Sequence, residues 1–327
     1  MTPFAYTPVR DVNAALAQAG QAANSAFIAG GTDLIQLMQE RVAAPDTLLF
    51  IGNLPLRRIA ADHEGLHIGA LARLADVADD ALVREQAPLV VRALLETASP
   101  QVRRMATIGG NLLQRTRCLY FRDATTPCNK RQPGSGCSAL GGQNRLNAVL
   151  GGSDHCIAAH ASDLATALTA LDASVVLEGA GGERSVPIAD FYRLPEDRPD
   201  RETVLKPGEL VTEVKIPTAP VERRSCFVKV RDRASFEWAL ASCAVALDLE
   251  DGVVSSARVV AGGVATVPWR LEQVERVLVG RAPDRAAAEA AGALAAEGAV
   301  GHGHDDFKIP LIRKTVARAL LQAGGVA

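Results

Sequence analysis

Apolar positions in the first fifty residues follow two different periods. The runs "FAYTPVR" (4–10), "SAFIAGG" (25–31) and "TLLFIG" (47–52) have the compact apolar character of strands. Between them, "DVNAALAQA" (11–19) and "LIQLMQERV" (34–42) space their apolar residues as helices do. This is alternating α/β material, in which loops at strand ends commonly receive a ligand. A second α/β unit is expected from near Pro55: strand, turn and strand in "LRRIAADHEGLHIGAL" (56–71), then helices in "LADVADDALV" (74–83) and "APLVVRALLETA" (87–98). Further on, "SDLATALTALDA" (162–173) predicts an amphipathic helix starting near Ser162 or Asp163, and "SVVLEG" (174–179) and "ELVTEVKIP" (209–217) read as strands.

After "PTAPVERR" (217–224) the pattern changes. Residues 225–264 hold two or three strands with an acidic-glycine turn at "EDG" (250–252), followed by Ala-rich helices at 283–298 and 309–323. Strands followed by helices indicate an α+β domain beginning near residue 220. The expected units are 1–54, 55–219 and 220–327. No internal repeat at a fixed period is visible. Residues 115–155 are too long and too polar for an ordinary connection and read as an insertion.

Composition narrows the setting. The chain has 327 residues, 48% hydrophobic and 22% charged, with a formal net charge of −2, so no field draws it to nucleic acid or a membrane surface. No run of eighteen apolar residues calls for membrane insertion, and the N-terminus lacks the basic start and apolar core of a signal peptide. Six cysteines are too sparse for a disulfide scaffold. In a reducing compartment, the default without a signal peptide, clustered cysteines more often bind metal.

Three motifs carry candidate chemistry. In "IAGGTDL" (28–34) Gly30 and Gly31, between a strand and a helix, would let backbone N–H groups approach a pyrophosphate; the alternative is a tight turn capped by Thr32 or Asp33. "TIGGNL" (107–112) offers a hydroxyl, an amide and open backbone, and alone reads as a turn. One dinucleotide lying between units would use both. The third motif is Cys118, Cys128, Cys137 and Cys156, spaced C-x9-C-x8-C-x18-C. The absence of close C-x2-C pairs favours a widely wrapped [4Fe–4S] centre, whose negative charge Arg115, Arg117, Arg122, Lys130 and Arg131 would offset; a four-thiolate zinc site and unrelated reduced cysteines stay open. Cys226 and Cys243 read as core thiols, "GHGHDD" (301–306) as a solvated linker, His63 and His67 as surface residues, and Arg231 and Arg233 as salt-bridge partners. No nucleophile elbow is present.

Together "FIAGGTDLIQLM", "RMATIGGNLLQRTRCLYFRD", "PCNKRQPGSGCSALGGQNRLNAVLGGSDHCIAAHASDLATAL" and "KVRDRASFEWALASCAV" resemble the FAD-binding medium subunit of the molybdenum hydroxylases, the xanthine dehydrogenase and carbon monoxide dehydrogenase flavoprotein family. The resemblance implies a two-subdomain FAD-binding (PCMH-type) domain followed by an α+β domain of antiparallel sheet and helices. The four-cysteine insertion, taken as 115–157, is similar to that of the flavin subunit of bacterial periplasmic aldehyde oxidoreductase, where it holds a [4Fe–4S] cluster. A related insertion occurs in 4-hydroxybenzoyl-CoA reductase. The implied FAD contacts are Phe27, Ile28, Ala29, Gly30, Gly31, Thr32, Asp33 and Leu34 around the pyrophosphate, with Thr107, Gly109, Gly110 and Asn111 as the second loop. Asp163, Leu210 and Lys229 complete the set. Asp33 stands where some relatives carry Asn or Glu.

The implied role is electron relay without a catalytic acid or base: electrons arrive singly from iron–sulfur centres, collect on FAD and pass to an external acceptor. The implied partners are a large molybdenum-cofactor subunit, which oxidises an aldehyde, and a small [2Fe–2S] subunit, completing a heterotrimer. Location is expected to be periplasmic by co-export with a partner, or cytoplasmic. The competing readings are an aromatic acyl-CoA reductase subunit and a zinc-stapled assembly protein. Because the flavin motifs and the insertion are separate in sequence, loss of Cys128 is expected to leave most FAD in place.

Overall fold

The computed structural model describes residues 1–326 apart from 23 and 219–222, so the expected boundary between 219 and 220 lies outside the described residues. Among the described residues three sheets organise the chain. In the first, β1 (Ala5–Pro8) and β2 (Ser25–Ile28) flank β3 (Thr47–Phe50), and both pairings are parallel. Parallel neighbours need crossovers, here the helices Val12–Gln21 and Leu34–Gln39. The first of these starts where Asp11 accepts the Ala14 N–H at 2.7 Å.

The second sheet contains β4 (Ile59–Ala61), β5 (Gly65–Gly69), β6 (Ser174–Gly179), β7 (Gly182–Pro187) and β8 (Leu210–Pro217) in the order β4-β5-β8-β6-β7. Every pairing is antiparallel. The helices that suggested a second wound α/β unit, Leu74–Asp79, Ala81–Gln86 and Pro88–Glu96, follow one another between β5 and β6 instead of alternating one per strand, so no parallel crossover forms. β7 was not expected from the pattern; most of its residues are exposed or half-buried, leaving little apolar signal.

The third sheet is β9 (Arg223–Val230), β10 (Ala241–Glu250), β11 (Val253–Gly262) and β12 (Trp269–Arg270), antiparallel in the order β12-β11-β10-β9. The expected turn sits at Asp251 and Gly252, both left-handed with φ of 50° and 80°. Helix Lys308–Gly324 and the shorter Glu272–Leu278, which the pattern did not reveal, pack on this sheet, and Arg285–Leu294 packs against both of them.

β10 explains how the units join. Nine of its ten residues are buried, and successive side chains serve different cores: Ala244 and Ala246 pack with the cluster around the second sheet, while Cys243, Val245 and Leu247 pack with the C-terminal helices. Helix Asp163–Ala170 lies against the first of these faces and is buried along all eight residues. The expected amphipathic helix is therefore a core helix, because the polar side chains that suggested a wet face are bonded internally: Thr166 and Thr169 hydroxyls donate to the carbonyls of Ser162 and Ala165. Cys226 and Cys243 are buried, as expected of core thiols.

Candidate functional site

The first diglycine loop follows directly from β2. Gly31 has φ of 69°, a conformation glycine adopts freely. At Gly30 a Cβ would fall on the Met105 carbonyl, so the first loop lies against the backbone entering the second. Among the described residues, the backbone N–H groups of Gly30, Gly31, Thr32, Asp33 and Leu34 hydrogen-bond to no protein acceptor. Five successive donors without partners form a concavity suited to an anion. They line a cleft of about 1080 Å³ whose wall takes in all of residues 27–34 together with Thr107, Gly109, Gly110 and Leu210.

The second loop is not the turn its sequence indicated. Ile108–Leu112 is a short helix, capped by the Thr107 hydroxyl, which accepts the Gly110 N–H at 3.2 Å. The Gly109 N–H donates to Ala70 at 2.8 Å, and a Cβ there would crowd Ala70. Asn111 accepts from the Ser162 hydroxyl at 2.6 Å, which ties this loop to the buried helix.

A second cleft of about 690 Å³ continues from the first, sharing Thr32, Asp33, Ala106 and Gly110, and adds Asn111, Asp163 and Lys229. Lys229 Nζ lies 2.7 Å from Asp163 Oδ2 and donates to the Glu96 carbonyl at 3.0 Å. Both side chains are buried, and burial pushes the Asp163 carboxyl up, against the pull of Lys229 and the Thr97 hydroxyl. All fifteen expected cofactor contacts thus line two connected clefts. Sequence reasoning missed Gln114, Arg117 and Trp238 on the same wall. The Arg117 guanidinium stacks over Trp238 at 4.4 Å, and burial lowers its pKa to about 10. The aromatic at 238 was the available signal, inside the quoted "FEWAL" stretch.

The four insertion thiols surround a void of about 270 Å³. Cys118, Cys128 and Cys156 are buried, with Cys137 half-buried, and Cys128 bridges to Cys137 by an isolated antiparallel pairing. Asn147 Nδ2 points at Cys118 Sγ and the Ala158 amide at Cys156 Sγ, both at 3.4 Å, and the Tyr120 and Phe121 amides also face the Cys118 sulfur. Burial raises the Cys118 thiol and lifts Cys156 to about 11, so a bound cation would have to displace their protons. No three of these sulfurs lie within 4.8 Å of one another. A zinc ion, with Zn–S of about 2.3 Å, would hold all four roughly 3.8 Å apart. By donor type, four thiolates suit either a zinc ion or a [4Fe–4S] cluster.

The cations expected around that centre serve other partners. Arg117 and Arg122 pair with Asp33, Arg115 and Lys130 pair with Glu202, and Arg131 donates to the carbonyls of Tyr120 and Phe121. Only Lys130 also lines the thiol void. Leu37, on the helix after the first diglycine loop, belongs to the same apolar cluster as the cysteines. The expectation that loop and insertion are separate is therefore overturned. Arg231 pairs with Glu96 and Arg233 with Glu237, as read from sequence. "GHGHDD" is not a solvated linker: Asp305 is fully buried and the loop is bonded to Asn144. His67 is half-buried, held by Glu213 at 2.5 Å and Asp62 at 3.2 Å.

A parallel three-stranded unit, an antiparallel unit with a capped diglycine helix, and a shared cleft rich in free amides make a site suited to a dinucleotide. Residues 2–219 match the family model described as the FAD binding domain in molybdopterin dehydrogenase, and residues 226–323 match the CO dehydrogenase flavoprotein C-terminal domain. The chain belongs to this family of FAD-binding medium subunits of molybdenum hydroxylases, whose members are oxidoreductase subunits. It is 42% identical over 325 residues to the aldehyde oxidoreductase FAD-binding subunit PaoB of Escherichia coli (strain K12), covering 99% of each chain. It is 28% identical over 323 residues to the carbon monoxide dehydrogenase medium chain of Hydrogenophaga pseudoflava, covering 97% of this chain and 96% of the relative. The solved carbon monoxide dehydrogenase from that organism has a chain that superimposes with a TM-score of 0.78 at 27% identity, covering 100% of this chain and 99% of the other. No helix among the described residues is long and apolar enough to cross a membrane.

Proposed function

We infer that this chain is the electron-transfer subunit of a molybdenum-dependent aldehyde oxidoreductase, holding FAD in the connected clefts and one [4Fe–4S] cluster among Cys118, Cys128, Cys137 and Cys156. The observation that carries the flavin reading is the row of unpartnered amides from Gly30 to Leu34 opening into the cleft that Thr107, Gly109 and Gly110 also line. The likeness to an aldehyde oxidoreductase subunit over 99% of both chains supports the substrate class. The thiol void and the N–H donors directed at its sulfurs support the cluster. We take residues 1–54, 55–219 with its insertion at 115–157, and 220–327 as the functional units; each of the three contains one sheet.

FAD bound there supplies the exchange between one-electron and two-electron transfer. A cluster held by the thiols supplies a one-electron carrier beside it. The chain's own residues bind and orient. The amides of 30–34 would hold the pyrophosphate, Thr107 and Asn111 brace the second loop, and Leu210 gives an apolar wall. Lys229, fixed by Asp163 and the Glu96 carbonyl, keeps a cation at the inner wall of the second cleft. Exposed Trp238, stacked on Arg117, lines the edge of that cleft. Relatives named as medium chains support assembly with a large molybdenum-cofactor subunit and a small [2Fe–2S] subunit, with an external acceptor receiving the electrons.

The test is an anaerobic absorption spectrum of the purified protein with iron, zinc and released-flavin assays on the same sample. One FAD and about four irons per chain are expected, as such a cluster requires. Zinc without flavin overturns the whole reading, and flavin without metal overturns its cluster half.

A further inference from the structure

The loop "GHGHDDFK" (301–308), which the sequence offered only as a linker, is fastened to the last stretch of the insertion before Cys156. Asn144, fully buried, donates to the His302 carbonyl at 2.7 Å and accepts from the His304 amide at 3.0 Å. The Arg145 guanidinium lies over the Phe307 ring at 4.6 Å. Lys308, also fully buried, donates from Nζ to the Asn147 and Gly263 carbonyls, each at 2.8 Å. A buried lysine is costly to hold, and this one spends its donors on two backbone carbonyls. The consequence falls on Asn147, which is 2% exposed. Its backbone is held by Lys308 and by its own N–H to Asn144 at 2.8 Å, so its side chain has one place to go. Nδ2 donates to the Ile157 carbonyl at 3.3 Å and reaches Cys118 Sγ at 3.4 Å.

We propose that Asn147 is a positioning residue for the thiolate of Cys118, and that the 301–308 loop holds it there to set the potential of the metal centre. The proposal rests on the cluster reading above. A side-chain N–H directed at a ligating sulfur withdraws negative charge from the centre and favours its reduced form. The other N–H groups directed at these thiols are backbone amides, of Tyr120 and Phe121 at Cys118 and of Ala158 at Cys156, which no side-chain change removes, so Asn147 is the adjustable donor. Lys308 acts one step further out, through the Asn147 carbonyl.

The test compares intact protein with Asn147→Leu, which keeps the volume and removes the donor, and with Asn147→Ser, which shortens the side chain out of reach while keeping it polar. Iron and FAD content are measured on each, and the midpoint potential of the iron–sulfur centre is taken from a redox titration followed by electron paramagnetic resonance. The expected result is unchanged iron and FAD with a midpoint displaced to more negative potential in both variants, and a smaller displacement of the same sign in Lys308→Met. Unchanged potential in an iron-loaded Asn147→Leu overturns the proposal, as does loss of iron from both Asn147 variants, which would make the residue a builder of the site and not a tuner. Wild-type protein without iron overturns the cluster reading itself, and this inference with it.

Discussion

Asp33 Oδ1 and Arg122 Nη2 stand 2.8 Å apart, joining the first flavin loop to the end of the insertion's short helix. Arg117 adds a second ion pair at 2.9 Å and the Arg115 amide a third contact at 2.8 Å, so one carboxylate fastens three residues of the insertion. Arg117 and Arg122 are both largely shielded from solvent, and removing the shared partner of such cations typically costs about 3 kcal/mol or more. Asp33→Ala is therefore expected to release FAD and to open residues 115–137 to protease in the same preparation. Cys128→Ser is expected to lower FAD retention as well as iron, through the same link. Flavin content, iron content and limited proteolysis measured side by side check this; full FAD in an Asp33→Ala protein with a loosened insertion would show the two sites to be independent.

Gly30 is constrained by what its missing side chain leaves room for. A Cβ would coincide with the Met105 carbonyl, and neither backbone can yield without moving the unpartnered amides of residues 30–34. Gly30→Ala is expected to destabilise the protein by about 1–3 kcal/mol, the cost of overpacking, and to weaken FAD binding more than tenfold. Thermal unfolding with and without added FAD separates the two effects. The neighbouring Gly110→Ala, where the added carbon meets only the Thr107 hydroxyl at 3.0 Å, is expected to be milder.

Lys229 and Asp163 form a buried pair whose members depend on each other. Taking away the ammonium leaves the carboxylate with the Thr97 hydroxyl and the Arg231 charge, in a setting whose burial already pushes its pKa up. Lys229→Met is expected to cost about 3–5 kcal/mol, whereas Lys229→Met with Asp163→Asn should recover much of it because no charge is then stranded. Denaturant titration of the single and double variants gives the coupling directly. Equal destabilisation in both would mean that the pair contributes through shape alone.

What the sequence revealed follows from where its signals are local. The parallel unit was legible because each strand and helix in residues 5–50 carries its own period, and the diglycine loops and cysteines because their residue types have few other uses. Burial of the 163–170 helix was hidden because its threonines are satisfied by their own backbone, a bond that period alone cannot distinguish from hydration. The antiparallel order of the second sheet depends on β8 inserting between β5 and β6, a pairing across more than a hundred residues. Asp33 reads as a helix cap beside its own loop, yet its side chain makes no cap and reaches arginines some eighty residues away. The roles of Asn147 and Lys308 are equally non-local and left no motif.

His160 supplies a pH dependence that can be isolated. Its ring packs edge-on to Tyr192 with centroids 4.4 Å apart, and Nδ1 accepts the Ser162 N–H at 3.3 Å, a bond only the neutral ring can make. Burial, with Lys130 acting in the same direction and Glu202 against it, lowers its pKa from 6.5 to about 4. The unfolded chain therefore takes up a proton as pH falls below 6.5 while the folded chain does not, and stability declines across pH 6.5 to 4 before levelling off. At about 1.4 kcal/mol per unit, the full contribution is about 3 kcal/mol at most. His160→Gln is expected to flatten this part of the profile, so the difference in Tm between wild type and variant at pH 7.5 should change steadily by pH 4.5 in favour of the variant. A difference that stays constant over that range would mean that His160 titrates alike in both states and that its burial exerts no pull on the proton.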